Sequence, residues 1–321
     1  MPNKSSFKFI IVIFSFALGG WSLYNDLFWP AQGADLITLK QILSPLNLEW
    51  SLGTNPSGWI NGQNYVNVFF DGLLLFGTVG YLASGYRQNT LLRFFYAVIF
   101  GSNAFQVLRF LLYFTVLRPL AGTHDTITNG RLVTDAEYLA MECIWMLASF
   151  IILRYLSRDR EVAVTLAEQE GEQVGYFIEA PRNMRLMNYV ADAIILSLIF
   201  HKEGLTLDSL QVPTTLKLGG TNGMVVPSAI VILICNWSYY ALFEALFGIT
   251  PGKILSGTRV VDDESHIPQF KTIAIRSLCR MVPFEALSFL GSRGWHDAWS
   301  DTYVVIDTPA GAPEQISTPE A

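Results

Sequence analysis

The chain has 321 residues, 51% of them apolar and only 15% charged, with a formal net charge of −6. That is richer in apolar and poorer in charged residues than a soluble domain, so apolar runs of membrane length account for it better than one large soluble core. The acidic residues lie mostly in loops, a linker and the tail, and no nucleic-acid partner follows from them.

Lys4 and Lys8 precede Phe9 to Asn25, about 17 uncharged residues at the short end of the spanning range. A signal peptide shares this basic start and apolar core, but no A-x-A cleavage pattern follows, which favours an uncleaved span. Residues 26–64, rich in Gly, Pro and Asn and carrying Trp29, Trp50 and Trp59, read as an outer loop with indoles at headgroup level or as a small folded cap. Tyr65 to Tyr86, Phe94 to Leu117 and Tyr138 to Leu153 supply the second to fourth spans, with His124 in the loop before the last.

Asp71, Arg109 and Glu142 fall inside these spans at a similar depth, roughly 9 to 14 Å from the outer face by helix rise. They read as one intramembrane charge cluster, either structural or a site. Two acids against one base require one carboxyl to be protonated, hydrated or bound to a cation.

Residues 158–181, with the run Ala167-Glu-Gln-Glu-Gly-Glu-Gln173, read as a polar linker. They separate a four-helix module, 1–157, from a second membrane module, 182–307. In that module Met184 to Phe200 is the fifth span and Met224 to Phe247 the sixth. Gly248, Pro251 and Gly252 stop the sixth, and Lys253 and Arg259 follow it, Lys253 as a headgroup anchor.

Between Arg280 and Arg293 lie only about 12 residues, interrupted by Pro283 and Glu285, too few for a crossing. Residues 272–291 therefore read as an interfacial helix with Lys271, Arg276 and Arg280 toward the headgroups. Thr302 to Ile306 echoes Thr258 to Val261, and the two are expected to pair as a small cytoplasmic sheet, with two unrelated loop ends as the alternative. Residues 308–321 read as a disordered tail. With both termini in the cytoplasm, most of the 21 basic residues fall on inside segments.

Arg185, Asn188 and Asp192 share one face of the fifth helix, and Asn236, Tyr240 and Glu244 one face of the sixth. Set against each other, these stripes give Asp192 a hydrogen-bonding partner and Arg185 a carboxylate. An ionisable group in a span is a site by default, and here it is either a proton-exchanging centre or a fixed polar clamp.

Three segments carry a resemblance. They are Gly248-Ile-Thr250-Pro-Gly252-Lys253 with Gly257-Thr-Arg259-Val260-Val261, Arg185 seven residues before Asp192, and His296-Asp297 followed by Thr302-Tyr-Val304-Val305. In order and spacing these resemble the RDD family of bacterial membrane proteins, over roughly residues 182–307. The resemblance implies that Arg185 and Asp192 stand for the family's arginine and first aspartate, and Asp297, ahead of Asp301, for its second. It also implies the family's suggested part in transport of undefined ligands.

Other signals are weaker. Gly248 to Lys253 is too short for a phosphate loop, and Ile254 stands where a hydroxyl is needed. His296-Asp297 lacks further metal ligands, and no G-x-S-x-G or H-E-x-x-H is present. Cys143, Cys235 and Cys279 are scattered in apolar runs and read as buried free thiols. No metal, cofactor or enzyme activity is expected.

The expectation is an all-α integral membrane protein of about six transmembrane helices, one interfacial helix and a small cytoplasmic β element, in the bacterial cytoplasmic membrane. Two functions fit. One is transport of a small solute or ion, with proton coupling, through Asp192 and Arg185 and through Asp71, Arg109 and Glu142. The other is a non-catalytic scaffold that docks membrane or cytoplasmic proteins through Gly248–Val261 and Trp295–Ile306. The lipid bilayer is a partner in either case.

Overall fold

A computed structural model describes residues 4–28, 63–112, 129–169, 172–201, 215–218, 224–282, 285, 288, 294–310 and 315–316. The expected outer loop with its three tryptophans, the His124 loop and most of the tail lie outside the described residues. The chain divides into two compact units, residues 1–153 with 197–232, and residues 154–196 with 233–321.

The first unit holds α1 (Lys4–Phe28), α2 (Gln63–Ala83), α3 (Thr90–Leu112) and most of α4 (Asn129–Ser157). Windows in three of these, Ser6–Tyr24, Thr90–Leu108 and Leu139–Ser157, are long and apolar enough to cross a bilayer, with mean hydropathies of 1.7, 1.4 and 1.7. The helix α2 carries a shorter apolar stretch, Asn67–Ala83.

Their polarity is inverted relative to a soluble bundle. Phe9, Ile10 and Ile13, Phe69, Phe76 and Val79, and Ile144, Leu147 and Ile151 point outward, while Asp71, Arg93 and Asn103 are buried. An exposed apolar surface of this extent needs an apolar medium. Inside, Ser15 Oγ and Tyr96 OH lie 2.7 Å apart and tie α1 to α3, and Phe14 meets Trp145 at 6.2 Å. At Gly77 a Cβ would come within 2.9 Å of Leu91 Cβ, so glycine is what lets α2 approach α3 this closely.

The second unit is built from α5 (Arg182–His201) and α6 (Ser228–Phe247), through the residues of each that fall within it, and a set of short elements. Gly248, at φ 67°, ends α6, and Thr250 caps the one-turn helix α7 (Pro251–Ser256), with Pro251 in its first turn and Gly257 closing it at φ 68°. Strand β6 (Thr258–Val261) follows, then α8 (Phe270–Cys279), α9 (Trp295–Trp299) and strand β7 (Tyr303–Pro309).

Strands β6 and β7 pair antiparallel from Thr258↔Ile306 to Val261↔Tyr303. The β-branched Thr, Val and Ile of both segments suit a strand, and this is the pairing that the echo between them predicts. The other edge of β7 takes β1 (Arg160–Val162), in register Val162↔Asp307. Asp307 then lies between Arg160 Nε at 3.3 Å and Arg259 Nη2 at 2.6 Å, one acid bridging the two flanking strands.

Several expectations are corrected. Residues 158–181 are not a linker, because β1 enters the sheet and β2 (Val164–Gln169) forms a hairpin with β3 (Glu172–Phe177), Val164 opposite Phe177. Val164, Thr165, Val174, Tyr176 and Phe177 supply strand-forming side chains that the acidic run between them masks in the sequence. The sixth helix begins at Ser228, not Met224, because Met224–Pro227 forms a strand, β5, paired with Thr215–Leu218, β4.

The tail is partly ordered. Strand β7 runs on to Pro309, and Gln315–Ile316, β8, pairs parallel with β2. Among the described residues the fold is mostly helical with three small sheets rather than all-α.

Candidate functional site

Helix α5 turns Arg185, Asn188 and Asp192 inward and Leu186, Met187, Val190 and Ile194 outward. The spacing of three and four residues puts the polar group on one face, as a period of 3.6 requires. Asp192 is 1% exposed.

Its carboxylate accepts three hydrogen bonds. Tyr239 OH donates to Oδ1 at 2.9 Å, the Gly252 amide donates to Oδ1 at 2.7 Å, and Thr250 Oγ1 donates to Oδ2 at 2.6 Å. The same threonine hydroxyl accepts from the Lys253 amide at 3.3 Å, so the cap of α7 and the partner of Asp192 are one group. A Cβ on Gly252 would stand 2.5 Å from Asn188 O and 2.8 Å from Asp192 Cγ. Only glycine lets the backbone approach α5 this closely.

Asn188 fastens the next corner. Its Nδ2 donates to Thr258 Oγ1 at 2.9 Å, and Ser256 Oγ donates to its Oδ1.

A second carboxylate, Glu244 on α6, is completely buried and collects cations. Lys253 Nζ lies at 2.7 Å, Arg276 Nε at 2.9 Å and Arg280 Nη2 at 3.3 Å. The Arg280 guanidinium also sits 4.3 Å from the Tyr240 ring centroid, a cation–π contact. Arg276 reaches on through Nη1, donating to Asp297 and to Thr302 Oγ1.

Arg185 completes the chain of charges. Its Nε donates to Ala180 O at 2.8 Å, Nη2 pairs with Glu179 at 2.7 Å, and Nη1 stands 3.8 Å from Asp297 Oδ2. His296 bonds Glu285 through Nδ1 and approaches Asp297 Oδ2 through Nε2 at 3.5 Å. Burial pushes the His296 imidazole well below its usual pKa and the Glu285 carboxyl above its own. In each case burial disfavours the charged form.

Of the residues singled out from the sequence, Arg185, Asp192, Glu244 and Asp297 are all in this network. The two stripes do not face each other as drawn. Tyr239, one residue off the stripe, bonds Asp192, while Tyr240 lies beneath Arg280. Asn236 is half-buried and takes no part in these contacts. Asp301 is exposed.

Lys253, Arg276 and Arg280 are not headgroup anchors. Their side chains are 2%, 0% and 6% exposed, turned inward because the buried Glu244 would otherwise be uncompensated. The sequence holds a signal for this, since Arg276 and Arg280 are four apart and share a face with Ile273 and Ser277.

In the first unit Asp71 is buried and Glu142 half-buried, and both make polar contacts. The side chain of Arg109, the third member of the expected cluster, lies outside the described residues.

Helices with outward apolar faces, three of them long enough to span, and charges gathered inside define an α-helical membrane protein. The RDD family model matches residues 180–301, the segment that contains Arg185, Asp192, Glu244, Lys253 and Asp297. No curated protein and no solved structure matches the chain.

Proposed function

We propose that the protein is a non-catalytic scaffold of the bacterial cytoplasmic membrane. Six spans leave both termini in the cytoplasm, and the second unit is a rigid platform for partner proteins. The observation that carries this reading is the state of Asp192, which is held by three donors from α6, the α7 cap and the α7 backbone. A carboxylate saturated in this way is a fastener. Hydrogen bonds to a charged group contribute about 1.5–3 kcal/mol each, and a carrier would have to break them on every cycle.

Strand pairing supports the topology. Sheet β1-β7-β6 takes one strand three residues after the end of α4 and another that follows α7 across Gly257, and a bridge from Glu179 to Val305 fixes the start of α5. The chain entering α5 and the chain leaving α6 are thereby held on one side of the membrane. The same sheet, with the exposed turn at Asp263 and Glu264, offers the cytoplasmic docking face.

One observation favours the transport reading. A water-sized cavity lined by Arg185, Asn188, Asp192, Lys253, Arg280 and His296 lies at the site. Proton flux into proteoliposomes, followed with a trapped pH dye for wild type and Asp192→Asn, separates the two. The scaffold reading expects no flux from either protein while both remain folded, and a partner recovered from a photo-crosslinker at Asp263. Flux in wild type that Asp192→Asn abolishes would replace it with transport.

A further inference from the structure

The segment between β6 and β7 leaves and re-enters the sheet at one point, since Val261 and Tyr303 are paired neighbours. Whatever lies between them must return to the side from which it started. Helix α8, inside that excursion, has ten residues, about 15 Å by helix rise and half of a bilayer core. It is inverted in polarity. Ile273, Arg276 and Ser277 are buried, whereas Ile275 is 41%, Leu278 53% and Phe270 64% exposed.

On the helical wheel, Lys271, Ile275 and Leu278 lie opposite Ile273, Arg276 and Ser277. The outer face is therefore apolar with one lysine at its first turn, a position from which that side chain can snorkel. In α9, Trp295 and Trp299 are 39% and 56% exposed, with rings stacked at 5.8 Å and 16°.

The surroundings of α8 indicate what covers this face. Trp237 Nε1 donates to Ala274 O at 3.3 Å. Trp237 lies ten residues before Phe247, the last residue of α6, roughly 15 Å up that helix. Next to it on α6, Leu233 and Ile234 are 40% and 50% exposed, so the apolar face of α8 continues that of a helix read as crossing the membrane.

We propose that α8, with α9 at its edge, is a re-entrant element seated in one leaflet. The outer face of α8 and the Trp295–Trp299 pair lie against lipid, acyl chains for the former and the headgroup boundary for the latter. This rests on the membrane reading above and adds a lipid-binding surface to it. The burial of Arg276 and Arg280 follows, because a helix at that depth must turn its cations toward Glu244 and Asp297.

The test is nitroxide accessibility in phosphatidylethanolamine/phosphatidylglycerol vesicles. Labels are placed at Ile275→Cys and Leu278→Cys in a chain whose Cys143, Cys235 and Cys279 are replaced by Ala. His266→Cys, in a 74% exposed side-chain position, is the aqueous control, and Leu147→Cys on α4 is the control for the membrane reading itself. Collision with oxygen is expected to exceed collision with a water-soluble nickel complex several-fold at Ile275 and Leu278, and the reverse at His266.

Nickel access at Ile275 and Leu278 with Leu147 still in lipid overturns the proposal alone. Nickel access at Leu147 as well overturns the membrane reading with it. Dipolar broadening between labels assigns the face to a second copy, and exclusion of both reagents to a protein partner, either of which also overturns the proposal. Independently, Trp295→Phe with Trp299→Phe is expected to reduce the quenching of tryptophan fluorescence by brominated lipids, and unchanged quenching counts against it.

Discussion

Gly252→Ala is the sharpest probe of the second unit. The added methyl would stand 2.5 Å from a backbone oxygen, Asn188 O, and 2.8 Å from Asp192 Oδ1. The first is backbone and the second is a carboxylate oxygen held by Tyr239 and the Gly252 amide, so α7 must move away from α5. That movement stretches the 2.7 Å bond from the Gly252 amide to Asp192. Overpacking costs typically about 1–3 kcal/mol and a hydrogen bond to a charged group about 1.5–3 kcal/mol, so the expected loss is about 2.5–6 kcal/mol. Against a total stability of about 5–15 kcal/mol, that is a large fraction. The assay is thermal unfolding in detergent, followed by loss of the monodisperse peak, with Gly72→Ala and Gly80→Ala as controls. A Cβ at either control meets nothing within 4 Å, and the change from glycine to alanine inside a helix is favourable by roughly 0.5–1 kcal/mol. If Gly252→Ala melts with the controls, the close approach of α7 to α5 is wrong and the account of Asp192 falls with it.

Other perturbations address the charges. Glu244→Gln leaves Lys253, Arg276 and Arg280 facing a neutral amide and is expected to cost about 3–5 kcal/mol; adding Lys253→Met is expected to restore part of that in the same melt. Asp192→Asn and Thr250→Val are each expected to destabilise but to combine sub-additively, because they remove the same 2.6 Å bond; strict additivity in a double-mutant cycle would refute the coupling. For His296 the folded pKa lies below the unfolded one, so the unfolded chain binds the extra proton first. Stability is then lost as pH falls below the ordinary histidine value of about 6.5. His296→Gln is expected to flatten that acid limb of a stability–pH profile. The raised carboxyl of Glu285 acts on the other side, removing stability as pH rises through its folded pKa, and Glu285→Gln is expected to remove that fall.

What was legible in the sequence was the periodic part. A face of Arg185, Asn188 and Asp192 follows from helix geometry alone, and the strand character of Thr258–Val261 and Thr302–Ile306 from β-branching. The partners of Asp192 were less accessible. One is a backbone amide, Gly252, which carries no side-chain signal. Another, Tyr239, is adjacent to the tyrosine that four-residue spacing selects. Sequence position misplaces the charges: Lys253, Arg276 and Arg280 flank an apolar helix as headgroup anchors do, and only the fold shows them converging on Glu244. The polar run 167–173 hid a hairpin because composition reports solvation, not pairing.

The clamp and the sheet are mechanically one device, and that can be measured. Asn188, one turn from Asp192 on α5, donates to Thr258 Oγ1 at 2.9 Å, and Thr258 is the first residue of β6. The Val260 amide donates to Gly248 O at 2.7 Å, closing β6 back onto the end of α6. Loosening Asp192 frees α7, whose two ends are Thr250 and Gly257, and the strand beyond it loses the anchors that fix its register. Hairpin β2–β3 touches β7 at its base, where Phe177 meets Tyr303 at 4.9 Å and the Ile306 amide donates to Ile178 O; its far end is held by its own ladder, Glu168↔Gln173 and Gln169↔Glu172. In Asp192→Asn, amide hydrogen exchange is therefore expected to accelerate in β6 and in the facing half of β7 while the far end of the β2–β3 hairpin, at Glu168, Gln169, Glu172 and Gln173, keeps its wild-type rate. Equal acceleration in both would mean that the variant unfolds globally, and no change in either would mean that the carboxylate fastens nothing beyond itself.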